Sequence, residues 1–389
     1  MNFTYYIPTK ILFGRGQLGN LHKEKLPGKR ALLVTTNGRS VVDNGYLART
    51  QEELAAAGVS YVLYNKITAN PDRKEVMEGA ALARKEGCDF IIGLGGGSPI
   101  DASKSIAIMA TNGGDYWDYM TRGSGKGKPI TEKPLPIVAI TTTAGTGTEA
   151  DPWTVISNAE TEEKFGFGIE ETFPVLAVVD PELMLSVPKN YTIYQGFDAL
   201  FHSLEGYLAN IATPISDIYA LKAISLIAQN LPQAVFDGQD IEARENMALA
   251  NTLSGMVEST SGCISEHALE HVLSGAYKNL PHGAGLIMLS EAYFSKIAEK
   301  HCCGDRMIDM AKAMGKKDAK IPEDFIEALK DLQKACGADN LKMSDYGIEK
   351  SRLQEFAEAA KTQNAVSFLL DPCDLSVKDC LEIYEKSYK

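Results

Sequence analysis

The fold is indicated first by Asp89-Phe-Ile-Ile-Gly-Leu-Gly-Gly-Gly-Ser-Pro-Ile-Asp101, an apolar run that leads into consecutive glycines. The apolar half is typical of a buried strand, and a helix is predicted from about Pro99. Glycines at such a turn let backbone N–H groups approach an anion, and the helix N-terminus adds partial positive charge. The stretch therefore predicts a phosphate-binding turn, and a tight turn that only closes a strand–helix unit is the alternative.

A second glycine-rich loop points the same way. Thr141-Thr-Thr-Ala-Gly-Thr-Gly-Thr-Glu149 also follows a predicted strand. Hydroxyls and small residues suit contacts to phosphate oxygens and to an amide-bearing ring, whereas the alternative is a polar loop with no special role. Since two such loops at strand ends of one sheet would face the same crevice, we expect a dinucleotide to bind there.

The sequence around these loops alternates between strands and helices. Strands are predicted over residues 30–36, 60–64, 89–94, 135–141 and 176–180, and helices over 40–57 and 71–86. The second helix is expected to have Asn70 as its N-cap and to stop at Gly87. This alternation predicts a mostly parallel sheet covered on both faces. Residues 1–187 are therefore expected to form an α/β dinucleotide-binding domain.

The pattern changes near Pro188. Strand-like runs almost vanish, and helical periodicity is evident over residues 215–231, 241–257, 322–336 and 352–362. A chain of 389 residues is long enough for two domains. Residues 188–389 are therefore expected to form an all-helical domain.

The composition excludes several classes of function. A formal charge of -12 without a basic stripe disfavours nucleic acid as a partner. The N-terminus lacks the pattern of a signal peptide, and no apolar stretch is long enough for a bilayer, so no membrane association is expected. The seven cysteines are scattered without a Cys-x-x-Cys pair, which favours a reducing cytoplasm over a disulfide framework.

Four of the six histidines lie between positions 202 and 282, near an aspartate in a similar setting. Asp198 and His202 are spaced i, i+4, as are His267 and His271, so each pair shares a helix face. His282 follows in a Pro-His-Gly sequence. One carboxylate and three imidazoles would suit a cation such as Fe²⁺, Zn²⁺ or Mn²⁺. Hydrogen-bonded histidines in the core are the alternative.

The ordered set of motifs resembles the iron-containing (group III) alcohol dehydrogenase family. The resemblance runs nearly end to end, through residues 8–14, 70–71, 95–101, 142–149 and 179–183 to the Asp and His motifs. It implies an α/β N-terminal dinucleotide domain and an all-α C-terminal metal-binding domain, an architecture shared with dehydroquinate synthase-like enzymes. It also implies a homodimer and NAD(P)-dependent chemistry on small primary alcohols, diols or aldehydes.

The resemblance also assigns roles to single residues. The expected metal ligands are Asp198, His202, His267 and His282. His271 is expected to be a catalytic residue near the substrate and the nicotinamide. Since many members have ten positions from the second histidine to the last and this chain has eleven, the choice between His267 and His271 as third imidazole stays open. The positions that match cofactor contacts are Asn70, Gly96, Gly97, Ser98, Asp101, Thr142, Thr143, Thr146 and Lys164. Asp151 and Trp153 match a segment that lines the substrate pocket, with a core tryptophan as the alternative.

The loop after the first predicted strand bears on the choice of cofactor. NAD-preferring relatives often carry an acid there, whereas this chain has none before Asp43. The residues that could bind a 2′-phosphate are Asn37, Gly38, Arg39 and Ser40. NADP(H) is therefore expected in preference to NAD(H), with a solvated surface role for Arg39 as the alternative. One divalent metal per chain is expected, Fe²⁺ in preference to Zn²⁺.

The mechanism expected from these residues is Lewis-acid catalysis, in which a metal polarises the substrate oxygen and His271 relays a proton. Three alternatives stay open. A dehydroquinate synthase-like lyase would use NAD and a metal, although it needs a cluster of basic residues that the sequence near these histidines lacks. A zinc polyol dehydrogenase of the glycerol type is the second. A metal- and nucleotide-binding protein without turnover, such as a sensor, is the third.

Overall fold

The computed structural model describes residues 2–389, which divide into two units. The α/β unit runs from Tyr6 to Val187. The helical unit comprises Pro188–Lys389 together with the segment that ends at Tyr5.

The α/β unit is built around a parallel sheet. Its strands are β1 Lys10–Phe13, β2 Arg30–Thr36, β3 Ser60–Ile67, β4 Phe90–Gly95, β5 Ile137–Thr141, β6 Thr154–Asn158, β7 Glu163–Phe167 and β8 Leu176–Val179. Its helices are α1 Ser40–Asp43, α2 Tyr46–Ala56, α3 Arg73–Glu86 and α4 Gly97–Thr111. Six strands pair in parallel in the order β1-β8-β5-β4-β2-β3, and β6 and β7 form an antiparallel hairpin. Apolar cores lie on both faces of the sheet, which explains why its central strands are continuous apolar runs.

Two helix boundaries differ from the sequence prediction. The predicted helix over 40–57 is interrupted at Gly45, whose φ of 72° lies in the left-handed region. The N-cap of α3 is Asp72 rather than Asn70, because the Asp72 side chain accepts from the Lys74 N–H and Glu75 completes a capping box. Asn70 itself has a φ of 54°. The predicted stop at Gly87 is confirmed, since this glycine is the left-handed C-cap.

Two parts of the α/β unit were not predicted as strands. β1 is a four-residue strand at the edge of the sheet, where it pairs with β8. The β6–β7 hairpin carries charged residues, among them Glu163 and Lys164, that mask its strand character. The hairpin matters for the site because it follows the threonine-rich loop directly.

The helical unit contains ten helices among the described residues. They are α5 Lys189–Leu208, α6 Pro214–Phe236, α7 Ile241–Ser261, α8 Ser265–Ala276, α9 His282–Glu299, α10 Gly304–Ala313, α11 Glu323–Cys336, α12 Leu353–Gln363, α13 Ala365–Leu370 and α14 Val377–Ser387. The all-helical prediction for this part of the chain is confirmed, although α6 continues through Pro232, where the sequence suggested an end. None of the helices in the described part of the chain combines the length and apolar character that a membrane crossing requires.

Candidate metal centre and nucleotide-binding edge

The helical unit brings together the four side chains that the sequence predicted as metal ligands. Asp198 and His202 lie on α5, His267 lies on α8, and His282 is the first residue of α9. The Asp198 Oδ1 atom is 3.7 Å from the Nε2 atoms of His202 and His267 and 3.5 Å from that of His282. Ligand atoms at the corners of a tetrahedron around one ion would be roughly 3.4 Å apart. The four side chains therefore have the spacing of a metal site.

The centre contains buried acceptor atoms that lack hydrogen-bond partners. Asp198 Oδ1 and His267 Nε2 are both buried and unpaired. A buried polar atom without a partner is unfavourable by about 1–3 kcal/mol, more when it is charged. A cation held by these side chains would satisfy both atoms, and a donor set of one carboxylate and three imidazoles fits Fe²⁺ or Zn²⁺.

Two of the imidazoles are backed by buried carboxylates. The Nδ1 atom of His267 contacts the Glu205 carboxylate, and that of His282 contacts the Glu270 carboxylate. In each pair the Nδ1–H donates to the carboxylate, which leaves the Nε2 lone pair directed at the centre. Gly285 makes room for this arrangement, because a β-carbon there would lie 2.7 Å from Glu270 Cγ.

Glu205 and Glu270 are not among the site residues predicted from the sequence. Each follows a predicted ligand by three positions, Glu205 after His202 and Glu270 after His267, and so shares its helix face. Both glutamates are fully buried. An acid on an otherwise apolar helix face, three positions from a predicted ligand, is the signal that points to such a partner.

Burial and neighbouring charges set the protonation of the centre. Burial alone would raise the pKa of Asp198, but the charges of His202 and His282 outweigh it, and the pKa lies below its ordinary value. Burial lowers the pKa of His202 to about 4. The ionised carboxylate of Asp198 and the neutral imidazole of His202 are the forms that bind a metal.

His271 and Cys263 lie next to the four ligands. The ring centroid of His271 is 5.2 Å from that of His282, and its side chain is half-buried. Cys263 forms a compact group with His202 and His267, with ligand atoms within 4.8 Å of one another. Burial raises the pKa of the Cys263 thiol, which keeps it protonated. The structure thus places His267 in the set around Asp198 and His271 beside it.

The α/β unit brings the predicted nucleotide-binding loops to one edge of the sheet. The strands β3, β2, β4 and β5 are parallel neighbours in this order. Asn70 follows β3, Asn37 follows β2, Gly96 follows β4 and Thr142 follows β5. The carboxyl ends of strands in an open parallel sheet are where such folds bind ligands.

The glycine turn and the threonine loop pack against each other. A β-carbon at Gly96 would lie 2.9 Å from Thr143 Oγ1, and one at Gly97 would lie 2.6 Å from Thr146 Cγ2. Any side chain at either glycine would push the loops apart. The first turn of α4, which includes Ser98, therefore begins with bare backbone, as the predicted phosphate contact requires.

Two of the predicted carboxylates are engaged inside the α/β unit. Asp101 accepts hydrogen bonds from Thr148 Oγ1 at 2.7 Å and from the Val155 N–H at 2.9 Å. Asp151 forms a buried ion pair of 2.9 Å with Lys104, a residue that the sequence analysis missed. Both carboxylates hold the segment after β5 in place, and their contact with a cofactor or substrate stays a prediction.

The remaining predicted residues lie on the surface or near the hairpin. Arg39 is an exposed side chain that pairs with Asp43, so its guanidinium has a carboxylate neighbour that would oppose a 2′-phosphate. Gly38 and Ser40 are exposed as well. Lys164 is buried on β7. Burial raises the pKa of Asp101 above its ordinary value, and the positive charge of Lys164 partly opposes this rise. Trp153 is half-buried, and its carbonyl accepts a hydrogen bond from Lys104.

Comparison with known proteins identifies the class. The iron-containing alcohol dehydrogenase model matches residues 8–181, and the C-terminal model of the Fe-containing alcohol dehydrogenase family matches residues 192–388. The chain belongs to the iron-containing alcohol dehydrogenases. It is thus an alcohol oxidoreductase, and the resemblance seen in the sequence is confirmed.

Three curated relatives and one solved structure are similar to most or all of the chain. The chain is 35% identical over 397 residues to 1,3-propanediol dehydrogenase of Citrobacter freundii, with 99% of each chain covered. It is 35% identical over 308 residues to NAD-dependent methanol dehydrogenase of Bacillus methanolicus, covering 76% of this chain and 79% of that one. It is 39% identical over 274 residues to choline dehydrogenase of Bacillus subtilis, covering 70% and 67%. Among solved structures, an archaeal alcohol dehydrogenase from a Red Sea brine pool has a TM-score of 0.92 and 34% identity, covering 100% of this chain and 99% of that one.

Proposed function

We propose that the protein is an NAD(H)-linked, divalent-metal-dependent dehydrogenase that interconverts small primary alcohols or diols with their aldehydes. The observation that carries this proposal is the placing of Asp198 Oδ1 within 3.5–3.7 Å of the Nε2 atoms of three imidazoles. Relatives named for propanediol, methanol and choline share a primary hydroxyl as the group to be oxidised. We propose Fe²⁺ as the metal, with Zn²⁺ as the alternative.

The roles of the residues follow from their positions. When bound, the metal supplies Lewis acidity to the substrate oxygen, and the nicotinamide supplies the hydride acceptor or donor. Glu205 and Glu270 keep the Nδ1 protons of two imidazoles in place, so that their Nε2 atoms stay available as ligands. His271, half-buried beside His282, takes the hydroxyl proton directly or through water and passes it to solvent. The residues that would hold the cation are Asp198, His202, His267 and His282.

The choice of cofactor in this proposal departs from the sequence-based preference for NADP(H). That preference depended on Arg39, which pairs with Asp43. The methanol dehydrogenase relative is named as NAD-dependent, and butanol dehydrogenase relatives are named as NADH-dependent. Initial rates with NADH and NADPH, with propanal as substrate, test this choice. A lower KM for NADPH than for NADH would restore the original preference.

The metal assignment is tested by metal content and activity measured on the same samples. Asp198→Asn and His282→Gln should each lose most of the bound Fe²⁺ and most of the aldehyde-dependent NADH oxidation. His22→Gln is a matched control, since His22 lies in the α/β unit beside Glu53. Normal metal content and turnover in either site variant would exclude that residue as a ligand.

We also propose that the enzyme is a homodimer that acts in the cytoplasm. The dimer is supported by the family resemblance of the sequence, and the compartment by the odd number and scatter of the cysteines. Light scattering coupled to size-exclusion chromatography should give about twice the chain mass of 42.2 kDa.

A further inference from the structure

A second carboxylate lies close to the candidate metal centre without belonging to the predicted ligand set. The Glu258 Oε2 atom on α7 is 3.8 Å from the Nε2 atom of His202, nearly the distance that separates Asp198 Oδ1 from the same atom. Asp198 is buried, whereas the Glu258 side chain is 16% exposed. Glu258 is therefore an acidic group on the ligand side of His202 that solvent can reach.

The negative charges of the carboxylates around the centre exceed the positive charge of a divalent ion. Asp198 and Glu258 face the imidazole Nε2 atoms, and Glu205 and Glu270 contact Nδ1 atoms. Their four formal negative charges exceed the two positive charges of a divalent cation.

This excess of negative charge acts on any charged substrate that binds at the centre. Inside a protein, charges interact more strongly than in water because the effective dielectric constant is lower. A substrate with a negative group near its hydroxyl would be repelled by the excess, and one with a positive group would be attracted. The unpaired, buried Asp198 Oδ1 and His267 Nε2 atoms show independently that a ligand belongs at this point.

We propose that Glu258 is a specificity-determining residue that favours alcohols carrying a positive charge two or three carbons from the hydroxyl. The proposal rests on the proposed function, since it names a substrate class for the same centre. With the hydroxyl placed at the four side chains that would hold the metal, the Glu258 carboxylate beside His202 would stabilise the ammonium group. Small neutral alcohols remain substrates, and hydroxy acids are poor ones.

The test compares two alcohols of nearly the same shape. Choline carries a quaternary ammonium, and 3,3-dimethylbutan-1-ol has a carbon in place of that nitrogen. The metal-loaded enzyme should give a kcat/KM ratio of choline to its neutral analogue of about ten or more, the effect of one favourable charge pair in a partly buried site. A ratio of one or below in the unsubstituted enzyme would overturn the proposal.

Substitutions of Glu258 test whether its charge is the source of the preference for choline. Glu258→Gln keeps the shape and removes the charge, and should lower the choline-to-analogue ratio about tenfold, whereas Glu258→Asp should keep most of it. The control is Glu242→Gln, the same change in an exposed residue of α7, roughly 24 Å away along the helix axis and beyond the Debye length. The control should leave the ratio unchanged.

Two measurements without turnover complete the test. Isothermal titration should show weaker choline binding to Glu258→Gln than to the unsubstituted enzyme, and metal analysis should show equal metal content in both. Loss of metal in Glu258→Gln would make Glu258 a ligand and overturn the selectivity role. An enzyme that binds metal but oxidises neither alcohol nor 1,3-propanediol would instead refute the proposed function itself.

Discussion

Gly283 approaches the backbone of Tyr194 so closely that a β-carbon at position 283 would lie 2.2 Å from the Tyr194 carbonyl oxygen. The contact joins the first turn of α9 to α5, the helices that carry His282 and Asp198. Gly283→Ala should therefore displace His282 and cost about 1–3 kcal/mol of stability through overpacking. We expect metal content to fall and the melting temperature to drop. Gly19→Ala is the control, because nothing lies within 4 Å of a β-carbon there.

The carboxylate behind His282 gives a prediction about metal affinity. Glu270→Gln leaves the size of the side chain unchanged but removes the charge that orients the imidazole. Loss of such an outer partner typically weakens metal binding by about 10–100-fold. Competition with a chelator of known affinity measures this change. Glu291→Gln, an exposed acid on α9 that pairs with Lys330, should bind metal like the unsubstituted protein.

The buried ion pair in the α/β unit gives a prediction about stability. The Lys104 ammonium is fully buried and donates to Asp151 Oδ1 and to the Trp153 carbonyl. Lys104→Met would leave the buried Asp151 carboxylate without its positively charged neighbour, at a cost of about 3–5 kcal/mol. The melting temperature should fall sharply. The double variant Lys104→Met/Asp151→Asn should recover part of the loss, and no recovery would mean that the charge of Asp151 is not the cause.

The packing of the two α/β loops gives a prediction about cofactor binding. Gly97→Ala would place a β-carbon 2.6 Å from Thr146 Cγ2 and force the glycine turn away from the threonine loop. The KM for NADH should rise at least tenfold, because the backbone N–H groups lose their position. Gly113→Ala, at an exposed position just after α4 with no atom within 4 Å, should leave this KM unchanged.

Asp371 gives a prediction about pH. Burial raises the pKa of this carboxyl to about 7, although the Ser265 N–H donates to it at 2.9 Å. Since the folded pKa exceeds the unfolded one of about 3.9, the folded state binds the proton more tightly, and its stabilising effect is lost as pH rises towards 7. The loss is at most about 1.4 kcal/mol per pH unit.

The melting temperature measures this dependence. The unsubstituted protein should melt at a lower temperature at pH 7.5 than at pH 5, relative to Asp371→Asn, which carries no titrating group. Asp339→Asn, a change in an exposed acid, should keep the pH dependence of the unsubstituted protein. Parallel curves for Asp371→Asn and the unsubstituted protein would contradict the assignment.

The sequence predicted the elements whose signals are local. The strand over 30–36 agrees to the residue because its apolar run is continuous, and the stop at Gly87 agrees because a left-handed glycine ends α3. The i, i+4 pairs placed Asp198 and His202 on one helix face. The cap of α3 was wrong because Asn70-Pro71 and Asp72 both fit an N-terminal signature, and the capping box with Glu75 favours the second.

What the sequence left out depends on contacts between distant segments. Glu205 meets His267 across 62 positions, and Lys104 meets Asp151 across 47, so neither pairing has a periodic signature. The open choice between His267 and His271 had the same origin, since spacing alone does not say which imidazole turns towards Asp198. The packing of α8 against α9 and α5 brings His267 into the set.

All four predicted ligands lie after residue 188, on helices that follow the complete α/β unit in the chain. A ribosome therefore finishes every strand of the sheet before it reaches His282, and domains generally fold as they emerge, N-terminal part first. Insertion of the proposed metal would accordingly be a late step in the maturation of this enzyme. On the proposed metal dependence, cells short of the cation would accumulate chains whose α/β unit is already folded, and resupply of the cation would restore activity without new protein synthesis.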